Sequence, residues 1–171
     1  MENTLPFVTA MIVVRNEENS ISKAVLSLLN QDYPKDKFEL LIIDGESTDN
    51  TILNTKKTVE EYSNTHETVP VRYFHNPKKL LAAGWNIGIK EARGDYVVRI
   101  DAHAQADRSL ISKGIAILLE KKDVVCVGGR IETEPLTEKG KIISDVLSSP
   151  FGVGNAKFRY ADKSGYVDTV A

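Results

Sequence analysis

Three short clusters in this sequence carry side chains able to handle a charged ligand: Arg15-Asn16-Glu17-Glu18, Asp44-Gly45-Glu46-Ser47 and Asp101-Ala102-His103. The third sets a carboxylate two residues from an imidazole, a donor pair that tolerates Mn2+ better than an all-oxygen site does. A divalent ion held there reverses the local electrostatics, so that a diphosphate can approach an acidic site. It also stabilises negative charge on a departing diphosphate. The competing reading makes Asp101 a turn cap and His103 a surface residue, and the D-x-H spacing does not choose between the two. At Asp44 a carboxylate can accept a hydrogen bond from a base N–H or a ribose hydroxyl, with Gly45 letting the backbone turn sharply. Equally, Asp44 and Ser47 can be turn residues ahead of a helix that Thr48 or Asp49 caps, with Asp49 serving the helix. Arg15 can reach a phosphate or pair with an acid. Glu17 and Glu18 can be first-turn acids favoured by a helix dipole.

The usual phosphate and nucleophile signatures are absent. There is no G-x-G-x-x-G after the first apolar run, no G-x-x-x-x-G-K-[ST] and no G-x-S-x-G, which argues against a dinucleotide fold, a P-loop nucleotidase and an α/β-hydrolase. The remaining polar candidates carry little. His66 lies in a polar stretch, His75 ends an apolar run at the crevice rim, and Lys78-Lys79 can neutralise a phosphate or be solvated. Trp85 falls on the Leu81–Trp85–Gly88–Ala92 face of a helix, where core packing is expected.

Alternating elements must position these clusters. Val8–Val14 and Phe38–Ile43 are short, apolar and rich in branched residues, which reads as buried strands. Val69–Phe74 and Tyr96–Ile100 read as a third and fourth strand. Helices are expected over the apolar stripe Ile21, Ala24, Val25, Leu28 and Leu29, over Ile52 to Tyr62, and over Leu80–Ala92. Tyr33-Pro34 closes the first of these, and Gly94 marks the turn from the third helix into the fourth strand. Asp107 or Ser109 opens a helix with Leu110, Ile111, Ile115, Leu118 and Leu119. Val124–Val127 and Arg130–Thr133 read as further strands around Gly128-Gly129. Thr137 opens an amphipathic helix with Ile142, Ile143, Val146 and Leu147; an irregular stretch follows, then an apparent strand at Tyr166–Val170. Strand–helix alternation predicts an α/β fold, Rossmann-like, with a mainly parallel sheet covered by helices on both faces. Ligands bind such sheets beyond the carboxyl ends of the strands, and each of the three clusters directly follows a strand.

Composition sets outer limits. The 171 residues suit one domain over 1–171, and 42% hydrophobic with 27% charged residues is ordinary for a globular chain. A formal charge of -2 leaves no broad basic field for nucleic acid. Cys126 is alone, so neither an internal disulfide nor a cysteine zinc site is available. The apolar runs are too short to span a bilayer, and no charged-then-apolar signal segment precedes the first of them. A cytoplasmic setting is expected.

Taken in order, the clusters resemble family 2 glycosyltransferases of the GT-A fold, within them the succinoglycan-biosynthesis type of bacterial polysaccharide transferase. Val13-Val14-Arg15-Asn16-Glu17-Glu18 is similar to the family's strand and R-N-E turn. Ile43-Asp44-Gly45-Glu46-Ser47-Thr48-Asp49-Asn50-Thr51 is similar to V-D-G-x-S-x-D-x-T. Ala82-Ala83-Gly84-Trp85-Asn86-Ile87-Gly88-Ile89 and Ala92-Arg93-Gly94-Asp95-Tyr96 lead into Arg99-Ile100-Asp101-Ala102-His103, at the position of the family's D-x-D element. Val127-Gly128-Gly129 and Ser148-Ser149-Pro150-Phe151-Gly152-Val153-Gly154 also match. The resemblance implies a nucleotide-sugar donor, a UDP-sugar above all, an Mg2+ or Mn2+ ion, inversion at the anomeric carbon, and a glycan or lipid-linked acceptor. It places Val14, Arg15, Glu17, Asp44, Asn86 and Asp101 at the nucleotide sugar. Asp44 would meet the base, Asp101 the ribose or metal, and His103 the metal.

Two departures stand out. Val13 occupies the position where many members have proline, and His103 replaces the second aspartate of D-x-D. Members of the family continue into an acceptor region with an acidic general base, and frequently into membrane helices. The chain is therefore expected to be part of a longer protein whose base lies beyond residue 171, with Asp168 the one late acid near a strand. Full-length membrane association would put the domain at the cytoplasmic face. Two other functions compete: a non-catalytic nucleotide-sugar binding module, and a signalling receiver domain. The receiver ranks last, because its late strands should end in a lysine and these end near Gly128-Gly129 and Glu134-Pro135.

Overall fold

The computed structural model describes residues 5–135, 137–154, 156–161 and 165–167. The chain packs as two compact units, Met1–Ser112 and Lys113–Ala171. In the first unit four strands form a parallel sheet: β1 (Val8–Val14), β2 (Phe38–Asp44), β3 (Val71–His75) and β4 (Tyr96–Arg99), in the order β3-β2-β1-β4. Register runs Val8 beside Phe38 and Tyr96, and Val14 beside Asp44. Every residue of β1 is buried, at odd and even positions alike, so both faces of the sheet are covered there. Two polar side chains sit inside this core. Thr9 donates from Oγ1 to Glu39 Oε1 at 2.8 Å, while Glu39 also accepts from the Arg93 N–H at 3.0 Å and pairs with Arg72 at 3.2 Å. Glu39 is 1% exposed, so leaving it unpaired would be strongly unfavourable. Its partners fix the amino end of the sheet, away from the three clusters.

Helix placement follows from connection handedness. α1 (Ile21–Leu29) and α2 (Thr51–Ser63) carry the chain outward from β1 to β2 to β3, and right-handed crossovers put both on one face. They pack on each other, with the Tyr62 hydroxyl donating to the Leu29 carbonyl at 3.0 Å. α3 (Leu81–Glu91) returns in the opposite sense to β4 and lies on the other face, against β1 and β2. There Gly84 and Gly88, one turn apart, let the helix sit directly on Val13 and Met11: a Cβ at Gly84 would lie 2.4 Å from Val13 Cγ1. Gly94 is equally constrained, since a Cβ would fall 2.5 Å from the Thr9 nitrogen. The expected α/β fold with a parallel sheet and helices on both faces is present. α4 (Leu110–Glu120) follows β4 as anticipated, with the Asp107 carboxylate accepting from the Ser109 N–H at 3.0 Å ahead of it.

The second unit departs from expectation. Residues 124–133 form no strand. Val125 is 93% exposed and the Ile131 N–H bonds instead to the Phe158 carbonyl at 2.8 Å. A short apolar run becomes a strand only where a neighbouring edge satisfies its backbone; here the Val124 N–H bonds back to the Lys121 carbonyl at 3.0 Å and the Ile131 N–H to a carbonyl that belongs to no strand. α5 (Glu138–Leu147) does open at Thr137, whose Oγ1 accepts from the Gly140 N–H. Its residues Ile142, Ile143 and Val146 are exposed. The stretch expected to be irregular contains α6 (Pro150–Val153) and a 3-10 turn at Lys157–Arg159. The expected strand at Tyr166–Val170 lies largely outside the described residues, as does Asp168. Among the described residues no helix is long and apolar enough to cross a membrane.

Candidate nucleotide-sugar site

The chain leaves β1 for β2 and β3 on one side and returns to β4 on the other. β1 is thus the topological switch point, where open parallel sheets form a ligand crevice at their carboxyl edge. Arg15 to Glu18 follow β1, Asp44 ends β2, and Asp101 follows β4 by two residues. All three clusters therefore share the edge, flanking β1 on both sides.

The loops after β1 and β2 are hydrogen-bonded to each other. The Asn16 N–H donates to Ser47 Oγ at 3.0 Å, and Asn16 Oδ1 accepts from the Thr48 N–H at 2.8 Å. The Glu17 N–H donates to Thr51 Oγ1 at 2.7 Å and the Glu18 N–H to Asp49 Oδ2 at 3.2 Å. In return the Glu18 carboxylate accepts from the Asn50 backbone and side chain, both at 3.0 Å. Asn16 and Glu46 hold φ values of 54° and 57°, a left-handed conformation that asparagine tolerates best among non-glycine residues. This clasp assigns Asp49 to the helix start, through the Thr51 N–H at 3.0 Å. It also corrects the placing of Glu17 and Glu18: they precede the first turn of α1, which begins at Ile21, and Glu18 serves α2. Asp44 accepts from the Ser47 N–H at 3.1 Å and hydroxyl at 2.6 Å through Oδ1, while Oδ2 has only a 3.3 Å contact to the same N–H. Turn and ligand roles are compatible, since Oδ2 keeps acceptor capacity. Val14 is buried, with its carbonyl accepting from the Gly45 N–H at 2.8 Å.

Across the switch point, His103 Nδ1 lies 3.6 Å from Glu17 Oε1, joining the loops after β1 and β4. Asp101 Oδ1 lies 3.4 Å from Arg99 Nη2. The loop after β4 is anchored to α1: the Ala106 N–H donates to Ser27 Oγ at 3.0 Å, and Gln31 Nε2 donates to the Asp107 carbonyl at 2.7 Å. Among the described residues no group of three or more His, Cys, Asp or Glu is arranged around a metal position. Asp101 is partly accessible and His103 exposed, and a carboxylate and an imidazole are groups that can bind a divalent ion such as Mn2+, with phosphate oxygens and water completing its coordination sphere. Asn86 is exposed on α3, beside Trp85, and so is carried by that helix rather than by the three loops.

A further cluster lies at the outer side of the same edge. Glu46 pairs with Lys79, and His75 Nε2 lies 3.2 Å from Glu46 Oε1. The Lys79 ammonium holds the Glu46 carboxyl below the usual range over an opposing burial effect, with His75 adding a weaker pull in the same direction as Lys79. Lys79 is thus engaged by an acid.

The family model for glycosyl transferase family 2 matches residues 9–169. The chain belongs to glycosyltransferase family 2. Among family relatives, a dolichyl N-acetyl-alpha-D-glucosaminyl phosphate 3-beta-D-2,3-diacetamido-2,3-dideoxy-beta-D-glucuronosyltransferase of Methanococcus voltae is 31% identical over 96% of this chain. The chain spans 51% of that relative's length. A mannosyltransferase from Pyrobaculum calidifontis, solved with GDP-Man and Mn2+, superposes with a TM-score of 0.63 at 24% identity, over 77% of this chain and 37% of that one. S. aureus TarS 1-349, solved with UDP-GlcNAc, gives 0.55 at 22% identity, over 77% and 38%. These two structures share the GT-A fold of the family 2 chain described here.

Arg99, the residue that pairs with Asp101, ends β4 two positions ahead of it, and that spacing is the signal in the sequence that bears on it.

Proposed function

We propose that this chain binds the nucleotide diphosphate of an activated sugar in the crevice between the loops after β1, β2 and β4. It would form the donor half of a glycosyltransferase acting on a glycan or lipid-linked acceptor. The observation that carries this reading is the gathering of Arg15, Asp44 and Asp101 at one edge of a parallel sheet, around its switch point. Asp44 Oδ2 would accept from the base or ribose, Arg15 would reach the phosphates, and Asp101 with His103 would hold a divalent ion, which would supply charge neutralisation at the diphosphate. In an inverting transfer the acceptor oxygen bonds to the anomeric carbon as the bond to the diphosphate oxygen breaks, and the hydroxyl proton passes to a carboxylate base. We place that base outside these 171 residues, a reading supported by the share of the relatives' length that this chain spans. The relatives' names favour no single donor: one neighbour is solved with GDP-Man, another with UDP-GlcNAc.

Calorimetry of UDP and GDP binding, in Mn2+ and in chelator, tests the reading. Metal is expected to strengthen binding by about tenfold, roughly 1.4 kcal/mol. Without the ion, Asp101 repels the diphosphate. Asp101→Asn should abolish the metal gain, while His103→Ala keeps part of it because water replaces the single nitrogen. Equal binding by all three proteins with and without metal would sink the metal-bridged site.

A further inference from the structure

We propose that Arg99 is a positioning residue for the donor site: an internal cation that holds the Asp101 carboxylate until the metal-bound diphosphate replaces it. The inference rests on the donor reading above. Arg99 is the register partner of Met11, whose side chain faces Gly88 of α3. Neighbouring strands place register partners on one face, so Arg99 projects on the α3 side. Its guanidinium carbon lies 4.8 Å from the Trp85 ring centroid while Nη2 reaches Asp101 Oδ1 at 3.4 Å. Trp85 in turn packs against the core cluster of Met11, Val13, Leu41 and Ile43. The stack therefore fixes the guanidinium against a rigid wall, leaving the carboxylate as its variable partner.

The pair is poor at stabilising the fold and well suited to exchange. Both side chains are substantially open to solvent, 57% and 43% exposed, and ion pairs in that setting contribute little. A planar guanidinium keeps its place on an aromatic face after losing a carboxylate, which a lysine ammonium does less well. Released from Asp101, Arg99 remains beside the diphosphate as a positive charge. Two consequences follow. Arg99 competes with the metal for Asp101, and it supports diphosphate binding when metal is absent. Both act to shrink the metal requirement.

The test is calorimetry of UDP and GDP binding to the 171-residue chain, with Mn2+ and with chelator, for wild type, Arg99→Gln, Arg99→Lys, Asp101→Asn and the double variant Arg99→Gln/Asp101→Asn. Arg99→Gln should widen the ratio of metal-bound to metal-free affinity about threefold or more, the scale of a weak exposed ion pair. Arg99→Lys should fall between it and wild type. In the Asp101→Asn background the ratio should not respond to Arg99→Gln, because the two act as a unit. An unchanged or narrowed ratio in Arg99→Gln, with Asp101→Asn still abolishing it, overturns the role of Arg99 and leaves the donor site standing. A residue that merely packs on Trp85 would weaken binding equally with and without metal, the same overturning result. A wild-type chain that binds neither nucleotide, or binds both equally in metal and chelator, overturns the donor reading and this inference with it. Far-UV circular dichroism confirms folding, and the lysine variant keeps the test decisive if the glutamine variant unfolds.

Discussion

Asp44, the last residue of β2, accepts from the Ser47 N–H and hydroxyl, while Asp49, five positions on, serves the start of α2. Burial pushes the Asp49 carboxyl up, but hydrogen bonds from the Thr51 hydroxyl and N–H and from the Glu18 N–H outweigh it and hold it below the ordinary value of 3.8. A folded-state value below the unfolded one means that Asp49 stabilises the fold above the ordinary aspartate range. That contribution disappears as pH falls through the folded value. Urea midpoints should place Asp49→Asn below wild type at about pH 7, with the gap narrowing once pH falls below the ordinary aspartate range; a gap that stays constant as pH is lowered through the acid range would contradict the assignment. Asp49 was legible in the sequence because its spacing ahead of an apolar helix is a local signal. Asp44 was legible as an edge acid. The stacking of Arg99 on Trp85 was not, because it depends on an aromatic ring from a different element, and local spacing says nothing about which helix covers a strand.

α3 shows how two glycines set the fit between helix and sheet. Both face β1, yet their neighbours differ. A Cβ at Gly84 would meet both γ-carbons of Val13, at 2.4 and 3.0 Å, and Asn76 Nδ2 at 3.2 Å. At Gly88 the nearest atom is Met11 Sδ at 2.7 Å. Valine is stiff at χ1, whereas methionine has three rotatable bonds and re-packs. Overpacking typically costs about 1–3 kcal/mol, and alanine returns up to about 1 kcal/mol of helix propensity over glycine. Gly84→Ala should therefore lower stability by about 1–3 kcal/mol, with Gly88→Ala close to neutral, read by urea unfolding followed in the far-UV. The reverse order would show that α3 rides differently on the sheet. At this scale the four strands and first four helices could be read because apolar runs and stripes continue for several residues. Residues 124–133 misled the same reading: four apolar residues suffice for a strand's pattern, but the pattern cannot supply the partner edge.

For the molecule as a whole, the proposed function makes this chain the donor side of a family 2 enzyme, and sugar transfer needs an acceptor base as well. The 171-residue chain, given a UDP- or GDP-sugar, metal and a defined acceptor, should show little or no transfer above the uncatalysed rate, even under conditions where it binds nucleotide. Robust turnover would place the base within residues 1–171. The parallel order could be read from strand–helix alternation, and the shared edge follows from it, since strands running the same way end together. The division into two units could not be read, because no linker-like composition separates them. The clasp between the loops after β1 and β2 also bears on engineering. Asn16, Glu17 and Glu18 donate to and accept from Ser47 through Thr51, so the two loops form a single exchangeable cassette. Grafting a relative's residues 15–18 without its residues 46–51 strands backbone N–H groups opposite the wrong acceptors. Donor preference should therefore transplant between family members only when both loops move together.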